Sequence, residues 1–364
     1  TTLPEIFTHE DLPVLVKLDE IADDQEGDPV FFRIVDSENV TARFTPDGQY
    51  LRITPSDGFT GAASITVAAD DGYAQTRDIT LDVTVSDAEL TSITLLQREY
   101  YFTEAGEVGD LVVVGQFADQ ADVILPFDYV NVATPDPDII KIGSNGLVTA
   151  LKEGDTHILA HRDNLSAATA VAVGIADDPN GAVAQIFGID AYPDSVTIVP
   201  DGGQRQIVTE LGTLGTDFVQ GTEDGVVYVS SDTDIVTVTD DGLIEAVATG
   251  ETTVTVIYRG AEEVLTVTVA PPVEAASTEM DEAGGAMRTP DGIEIAVGAG
   301  QLSGTATISA EARSEAELDL EVPPDFDFVA GGVIDIQGGA LNGPIQLATK
   351  VSGDVAQEGD EVLF

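Results

Sequence analysis

Asp138-Ile139-Ile140-Lys141-Ile142-Gly143-Ser144-Asn145-Gly146-Leu147-Val148-Thr149-Ala150 recurs without a gap as Asp234-Ile235-Val236-Thr237-Val238-Thr239-Asp240-Asp241-Gly242-Leu243-Ile244-Glu245-Ala246, an offset of 96 residues. The correspondence runs on to Gly154 and Gly250, and outward to Ile93 and Ile189, Gly106 and Gly202, Val171 and Val267, and Val173 and Val269. Self-similarity at a fixed period marks a duplicated structural unit. Within each copy, aliphatic and polar residues alternate on either side of Asn145-Gly146 or Asp241-Gly242. Glycine accepts the positive φ of a tight turn, so each copy reads as two strands joined by a hairpin.

The same period of two extends beyond the repeat. Ile79, Leu81, Val83 and Val85 alternate with Thr80, Asp82, Thr84 and Ser86, and similar runs lie at residues 64–69, 168–173, 252–258 and 264–269. Further turn dipeptides stand at Asp47-Gly48, Asp57-Gly58, Asp71-Gly72 and Asp291-Gly292. No segment carries a helical stripe, so the chain reads as all-β with many short strands. At roughly 100–200 residues per domain, 364 residues predict two to four domains.

Charge narrows the function classes. The chain has 14 Lys plus Arg against 66 Asp plus Glu, a net charge of −52, with no Cys and no Trp. Such a field repels nucleic-acid phosphate and anionic headgroups. No apolar run approaches the roughly 20 residues of a spanning helix, so membrane insertion is not expected of this segment. Disulfides and zinc–thiolate sites need cysteine and are excluded. Thr1-Thr2-Leu3-Pro4 lacks a basic-then-apolar leader, which reads as a mature or excised chain. The acidity fits a halophilic setting, because at 1 M salt the Debye length falls to about 3 Å and surface carboxylates cease to repel one another.

Three resemblances follow from the residues. The Asp, paired aliphatics, Gly-Leu turn, Ala and later Gly-x-Thr of the repeat resemble the bacterial Ig-like domain, group 2, over residues 89–176 and 185–270. The resemblance implies Ig-type sandwiches in which Gly146 and Gly242 make the hairpin turn, Ala150 and Ala246 lie where sheets approach closely, and Gly154 and Gly250 open the next turn. Residues 1–88, with Glu10-Asp11, Asp23-Asp24-Gln25-Glu26-Gly27-Asp28, Phe44-Thr45-Pro46-Asp47-Gly48 and Asp70-Asp71-Gly72, resemble the bacterial cadherin-like domain, although Ser86-Asp87-Ala88-Glu89-Leu90 lacks the Asp-x-Asn-Asp-Asn run of true cadherins. Residues 278–364, with Thr289-Pro290-Asp291-Gly292, Gly298-Ala299-Gly300-Gln301-Leu302 and Pro344-Ile345-Gln346-Leu347, are similar to part of the β-domain of zonula occludens and netrin-receptor proteins. Linkers fall at residues 177–184 and 271–277. The pattern stops in an unfinished strand at Phe364, which reads as a piece of a longer chain or as a chain whose remainder is disordered or cleaved. The expected architecture is a set of tandem Ig-like and cadherin-like β-sandwiches arranged as an extended rod.

The chemical candidate is calcium. Glu10, Asp23, Asp24, Glu26, Asp28, Asp70 and Asp71 fall in loops that the cadherin-like resemblance gathers at one end of the first domain. A hard cation takes 6 to 8 oxygens at about 2.3–2.6 Å, which clustered carboxylates supply; the alternative is a solvated polar turn. Catalysis has little support. His157 and His161, in a strand-like run, stand roughly 13 Å apart, too far to share one ion, and no nucleophile elbow, metalloprotease helix or phosphate loop is present. Without Trp, a sugar could stack only on tyrosines such as Tyr100 and Tyr101, which alternation splits into one core ring and one exposed ring. The sequons Asn39-Val40-Thr41 and Asn164-Leu165-Ser166 could accept N-linked sugar. The resulting expectation is a non-catalytic extracellular structural protein, a stalk or a surface-layer or filament subunit. Its partners would be copies of itself or other surface proteins. The alternative is an adhesin segment that binds a receptor or glycan through loops of one domain.

Overall fold

The computed structural model describes residues 3–22, 29–70, 77–174, 189–211, 218–219, 221, 225–318 and 327–349. Helix among them is confined to two single turns, Leu18–Ile21 and Glu315–Leu318, and no helix is long and apolar enough to cross a membrane. Among the described residues the four largest hydrophobic clusters follow one another along the chain, each enclosed between sheets. The tandem β-sandwich architecture is as expected.

In the first unit, Ile6–His9, Arg77–Ser86, Gly61–Asp70 and Phe31–Glu38 form one sheet in that order, and Val14–Lys17, Tyr50–Pro55 and Val40–Phe44 the other. Leu51, Ile53, Ile65, Val67 and Leu81, all fully buried, come from the alternating runs and meet between the sheets. Removing that apolar area from water, at roughly 25 cal/mol per Å², is the main force holding the two layers together.

The second and third units repeat strand for strand. Ile140–Ile142, Leu147–Ala150, Gly154–Arg162 and Leu165–Val173 stand 96 residues before Val236–Val238, Leu243–Ala246, Gly250–Tyr258 and Ala261–Val269. Turn hydrogen bonds keep the same offset: Gly146 N–H donates to Gly143 and Gly242 N–H to Thr239, while Leu111 donates to Gly146 and Ile207 to Gly242. Gly154 and Gly250 differ from expectation, since they begin the long strands instead of opening a turn. A Cβ there would lie 2.9 Å from Ile139 and 2.8 Å from Ile235, respectively.

The repeats diverge at one core corner. In the second unit Tyr100 and Phe102 lie over Gly109, where a Cβ would be 3.2 Å from the Tyr100 ring, and the Tyr100 hydroxyl donates to Asp110 O at 2.8 Å. In the third unit the same positions hold Val196, Ile198 and Arg205. Gly109 pairs with Val148 and Arg205 with Ile244, again at equivalent register. The third unit thus has smaller side chains at the aromatic positions and a large one at the glycine position. Burial lowers the Arg205 pKa, and its Nε is enclosed without a hydrogen-bond partner among the described residues.

The fourth unit pairs Val273–Glu274, Gly285–Arg288, Ile293–Val297 and Gln346–Thr349 in one sheet, and Ser277–Met280, Leu302–Ala312 and Gly332–Leu341 in another.

At the junction of the second and third units the two sandwiches also pack directly on each other. Strand Leu165–Val173 buries both of its faces. Leu165, Ala167, Val171 and Val173 enter the second unit's core, whereas Ala168 and Ala170 pack on Ile257, with Leu159, Val227 and Val229 around them. Near one end of the strand Ser166 N–H donates to Ser231 O; near the other, a Cβ on Gly260 would stand 2.7 Å from Ala172 Cβ. The two sandwiches therefore lie side by side along a whole strand. The physical reason is the row of small outward side chains, which lets two sheets approach where larger or charged residues would keep them apart.

Candidate functional site

The features with the most specific chemistry are the junctions between units. At the first junction the turn after Ile6–His9 enters the second unit. Leu12 is buried in that unit's core cluster, and Thr8 Oγ1 donates to Leu12 O at 2.6 Å. His9, 1% exposed, stacks on Phe117 with centroids 3.6 Å apart. Its Nε2 lies 2.7 Å from Asp119 Oδ1; an ionised carboxylate only accepts, so Nε2 carries the proton. Asp119 also accepts from Ser86 Oγ at 2.6 Å, and Arg52 pairs with Asp128 across the same junction.

The Ser86 and His9 hydrogen bonds hold the Asp119 pKa below the ordinary carboxylate value of 3.8. A depressed acid contributes stability above its unfolded pKa and loses it as pH falls through the folded one. The first junction is therefore expected to hold from neutral pH down to about 4 and to loosen below it. Distance measurements between spin labels on the first two units check this. Asp119→Asn should loosen the junction already at neutral pH and remove the acid step; an unchanged step would assign it to other carboxylates.

At the second junction Glu262, with a side chain 5% exposed, pairs with Arg98. Its Oε2 accepts Ala170 N–H at 2.6 Å, and Arg98 Nη2 donates to Ala168 O at 3.1 Å. Asn164 Nδ2 donates to Asp232 at 2.7 Å, so this sequon asparagine is occupied by the junction, whereas Asn39 is exposed in a turn at φ 60°. At the third junction Ser195 Oγ donates to Ala299 O at 2.5 Å, Val199 meets Ala286 and Ala296, and Gln346 Nε2 donates to Gln204 O at 2.7 Å.

A crevice of about 700 Å³ opens where the first three units meet. Among its described lining residues Arg162 is the one Lys or Arg, facing seven carboxylates: Glu10, Asp11, Asp87, Glu89, Asp163, Asp232 and Asp234. The guanidinium sits 3.8 Å over the Tyr129 ring, donates to Tyr129 O at 2.7 Å, and lies 3.8 Å from Asp11. It acts as a clamp between units.

The expected calcium residues do not all come together. Glu10 N–H donates to Ser86 O, because Ile6–His9 runs parallel to Arg77–Ser86. Asp70 ends Gly61–Asp70, whose first residue pairs with Val85. Ten residues at about 3.3 Å each set Glu10 and Asp70 roughly 30 Å apart, at opposite ends of the unit. One ion cannot take both. Asp23, Asp24, Glu26, Asp28 and Asp71 lie outside the described residues, and among the described residues no group of three or more His, Cys, Asp or Glu is placed to hold a metal ion.

His157 and His161 share one strand; burial lowers the His157 pKa. Tyr100 is buried and Tyr101 is 49% exposed, the split that alternation predicts. The junction residues themselves were missed by sequence reasoning. The available signal was Ala167 to Val173, a strand with no polar face except Thr169.

Comparison with known proteins agrees with the fold. Residues 3–84 match the bacterial Ig domain, and residues 189–269 match the bacterial Ig-like domain, group 2. No curated protein matches. Among solved structures, surface layer protein SbsC, domains 1–6, is 16% identical with a TM-score of 0.22, over 96% of this chain and 52% of that one. This chain thus spans about half the length of that structure. Human protocadherin-24 EC1-2 is 16% identical, TM-score 0.20, over 48% of this chain and 94% of that one. An endo-fucoidan hydrolase from glycoside hydrolase family 107 is 14% identical, TM-score 0.22, over 75% and 43%. TM-scores this low fix no shared arrangement. With both family matches falling on sandwiches, and the unit between them repeating the third strand for strand, the chain is a tandem array of β-sandwiches carrying bacterial Ig-type domains at residues 3–84 and 189–269.

Proposed function

We propose that this chain is a non-catalytic structural array of a bacterial cell surface, a stalk or a subunit of a surface layer or filament. The observation that carries the reading is the lock between the second and third units, where a buried carboxylate, an arginine and a row of alanines join two sheets. Flexible tethering alone needs no such contact. Joined units hold distance and orientation under load, which is what a spacer or lattice element must do. In this reading the fourth unit, of zonula occludens and netrin-receptor type, is a further spacer. Any calcium falls to residues 23–28 and 70–71 without Glu10, and a thermal melt in excess calcium against EDTA, at matched ionic strength, reads it.

Small-angle scattering of the full chain tests the array. One set of interunit distances that persists from dilute buffer to molar salt supports it; the broad profile of a freely jointed string overturns it. Protease shaving of intact source cells tests the location, and a chain cleaved only after lysis places it elsewhere.

A further inference from the structure

One sheet face runs against the charge of the whole molecule. Val14–Lys17, Val40–Phe44 and Tyr50–Pro55 contain no Asp or Glu, in a chain with 66 of them. Their inward residues, Val16, Val40, Leu51 and Ile53, are buried in the first core. Alternation therefore turns Leu15, Lys17, Arg43, Tyr50 and Arg52 outward. Register sets Arg43 directly across from Arg52, which in turn faces Leu15, and sets Lys17 across from Tyr50. Like charges directly opposite on neighbouring strands cost stability, so folding alone does not favour this arrangement.

Two of the cations already hold carboxylates. Lys17 Nζ pairs with Asp19 at 2.6 Å, and Arg52 pairs with Asp128 from a loop of the second unit. Arg43 is exposed and has no ion-pair partner among the described residues. Leu15, 56% exposed, adds an apolar contact beside it.

We propose that this cationic face binds the acidic surface of a second copy of the chain. The charge of the molecule supports that occupant, because the chain carries 66 carboxylates against 14 basic side chains. The Arg52–Asp128 pair is an example, within one molecule, of an acidic loop seated on this face. A two-fold contact through the face itself would set arginine against arginine. The contact is therefore heterologous, cationic face to acidic surface, and a heterologous contact that does not close propagates into an open chain. It deepens the structural-array reading, on which it rests, by supplying the contact between copies.

Salt acts on this association twice. In dilute buffer the whole-chain repulsion dominates, near 0.15 M the Debye length of about 8 Å screens distant charges but not contacting pairs, and at 1 M even the contacts are screened. Sedimentation velocity of the full chain should accordingly show assembly that peaks at intermediate salt. Arg43→Glu should weaken it at least tenfold and Arg43→Gln less, with the melting temperature unchanged or slightly raised because the repulsion from Arg52 is relieved and monomer scattering unchanged, while Arg43→Lys retains most of it. A chain that stays monomeric at every ionic strength, or an Arg43→Glu variant that assembles like the parent, overturns the proposal. So does a monomeric chain that binds dextran sulfate through Arg43, since the face then serves a sulfated polysaccharide. A freely jointed scattering profile for the monomer would count against the array reading itself, whatever Arg43→Glu does.

Discussion

Glu262→Ala is expected to cost about 3 kcal/mol at the junction of the second and third units. Breaking a buried ion pair by removing one partner typically costs about 3–5 kcal/mol, and the lower end applies because the Arg98 side chain is 34% exposed. The loss has two parts: the arginine keeps its charge without its counterion, and Ala170 N–H loses its acceptor. Glu262→Gln, which retains an acceptor but not the charge, should cost roughly half as much. Denaturant unfolding of a fragment spanning the two units, followed by probes in each, reads the effect as a lower midpoint for the unit that unfolds first. A double-mutant cycle with Arg98→Ala isolates the pair. Coupling below about 0.5 kcal/mol would reduce it to an ordinary surface salt bridge and leave the alanine row as the whole of the junction.

Ile244→Ala should destabilise the third unit by about 2–5 kcal/mol, the usual range for truncating a fully buried isoleucine. Ile244 is 0% exposed within the cluster that includes Ile207, Val236, Val254 and Leu265. Its equivalent, Val148, is also 0% exposed but loses one methylene fewer, so Val148→Ala should cost less in the second unit. Calorimetry of the full chain should show each substitution lowering a different transition. If both variants lowered a single shared transition equally, the two cores would melt as one.

The strands of the repeat were legible because 96-residue self-similarity fixes pairs of residues together with their class. Asp-Gly and Asn-Gly then marked the turns, and the structure places Gly146 at φ 82° and Gly242 at φ 83°. Packing between units was not legible in the same way. A period of two assigns one face of a strand to the core and the other to water, whereas Ala168 and Ala170 face another sandwich. Alanine is compatible with either environment. The cadherin-like resemblance groups Glu10 with Asp70, and nothing in Ile6-Phe7-Thr8-His9 states whether that strand runs parallel or antiparallel to the last one. Direction alone moved it to the opposite end. The cationic face went unread for a similar reason: Lys17, Arg43 and Arg52 are far apart in sequence and become neighbours only through register.

The differing core corner of the repeats, Tyr100, Phe102 and Gly109 in one and Val196, Ile198 and Arg205 in the other, bears on how the chain emerges from the ribosome. Tandem domains of like sequence are prone to misassembly, in which a strand of one completes its neighbour. Here such a hybrid is penalised in either direction. A segment bearing Tyr100 and Phe102 would meet Arg205 and overfill the corner, and one bearing Val196 and Ile198 would meet Gly109 and leave a void. The same hydrogen-bond ladder occurs twice, and the difference in bulk is expected to disfavour strand exchange between the two nascent domains.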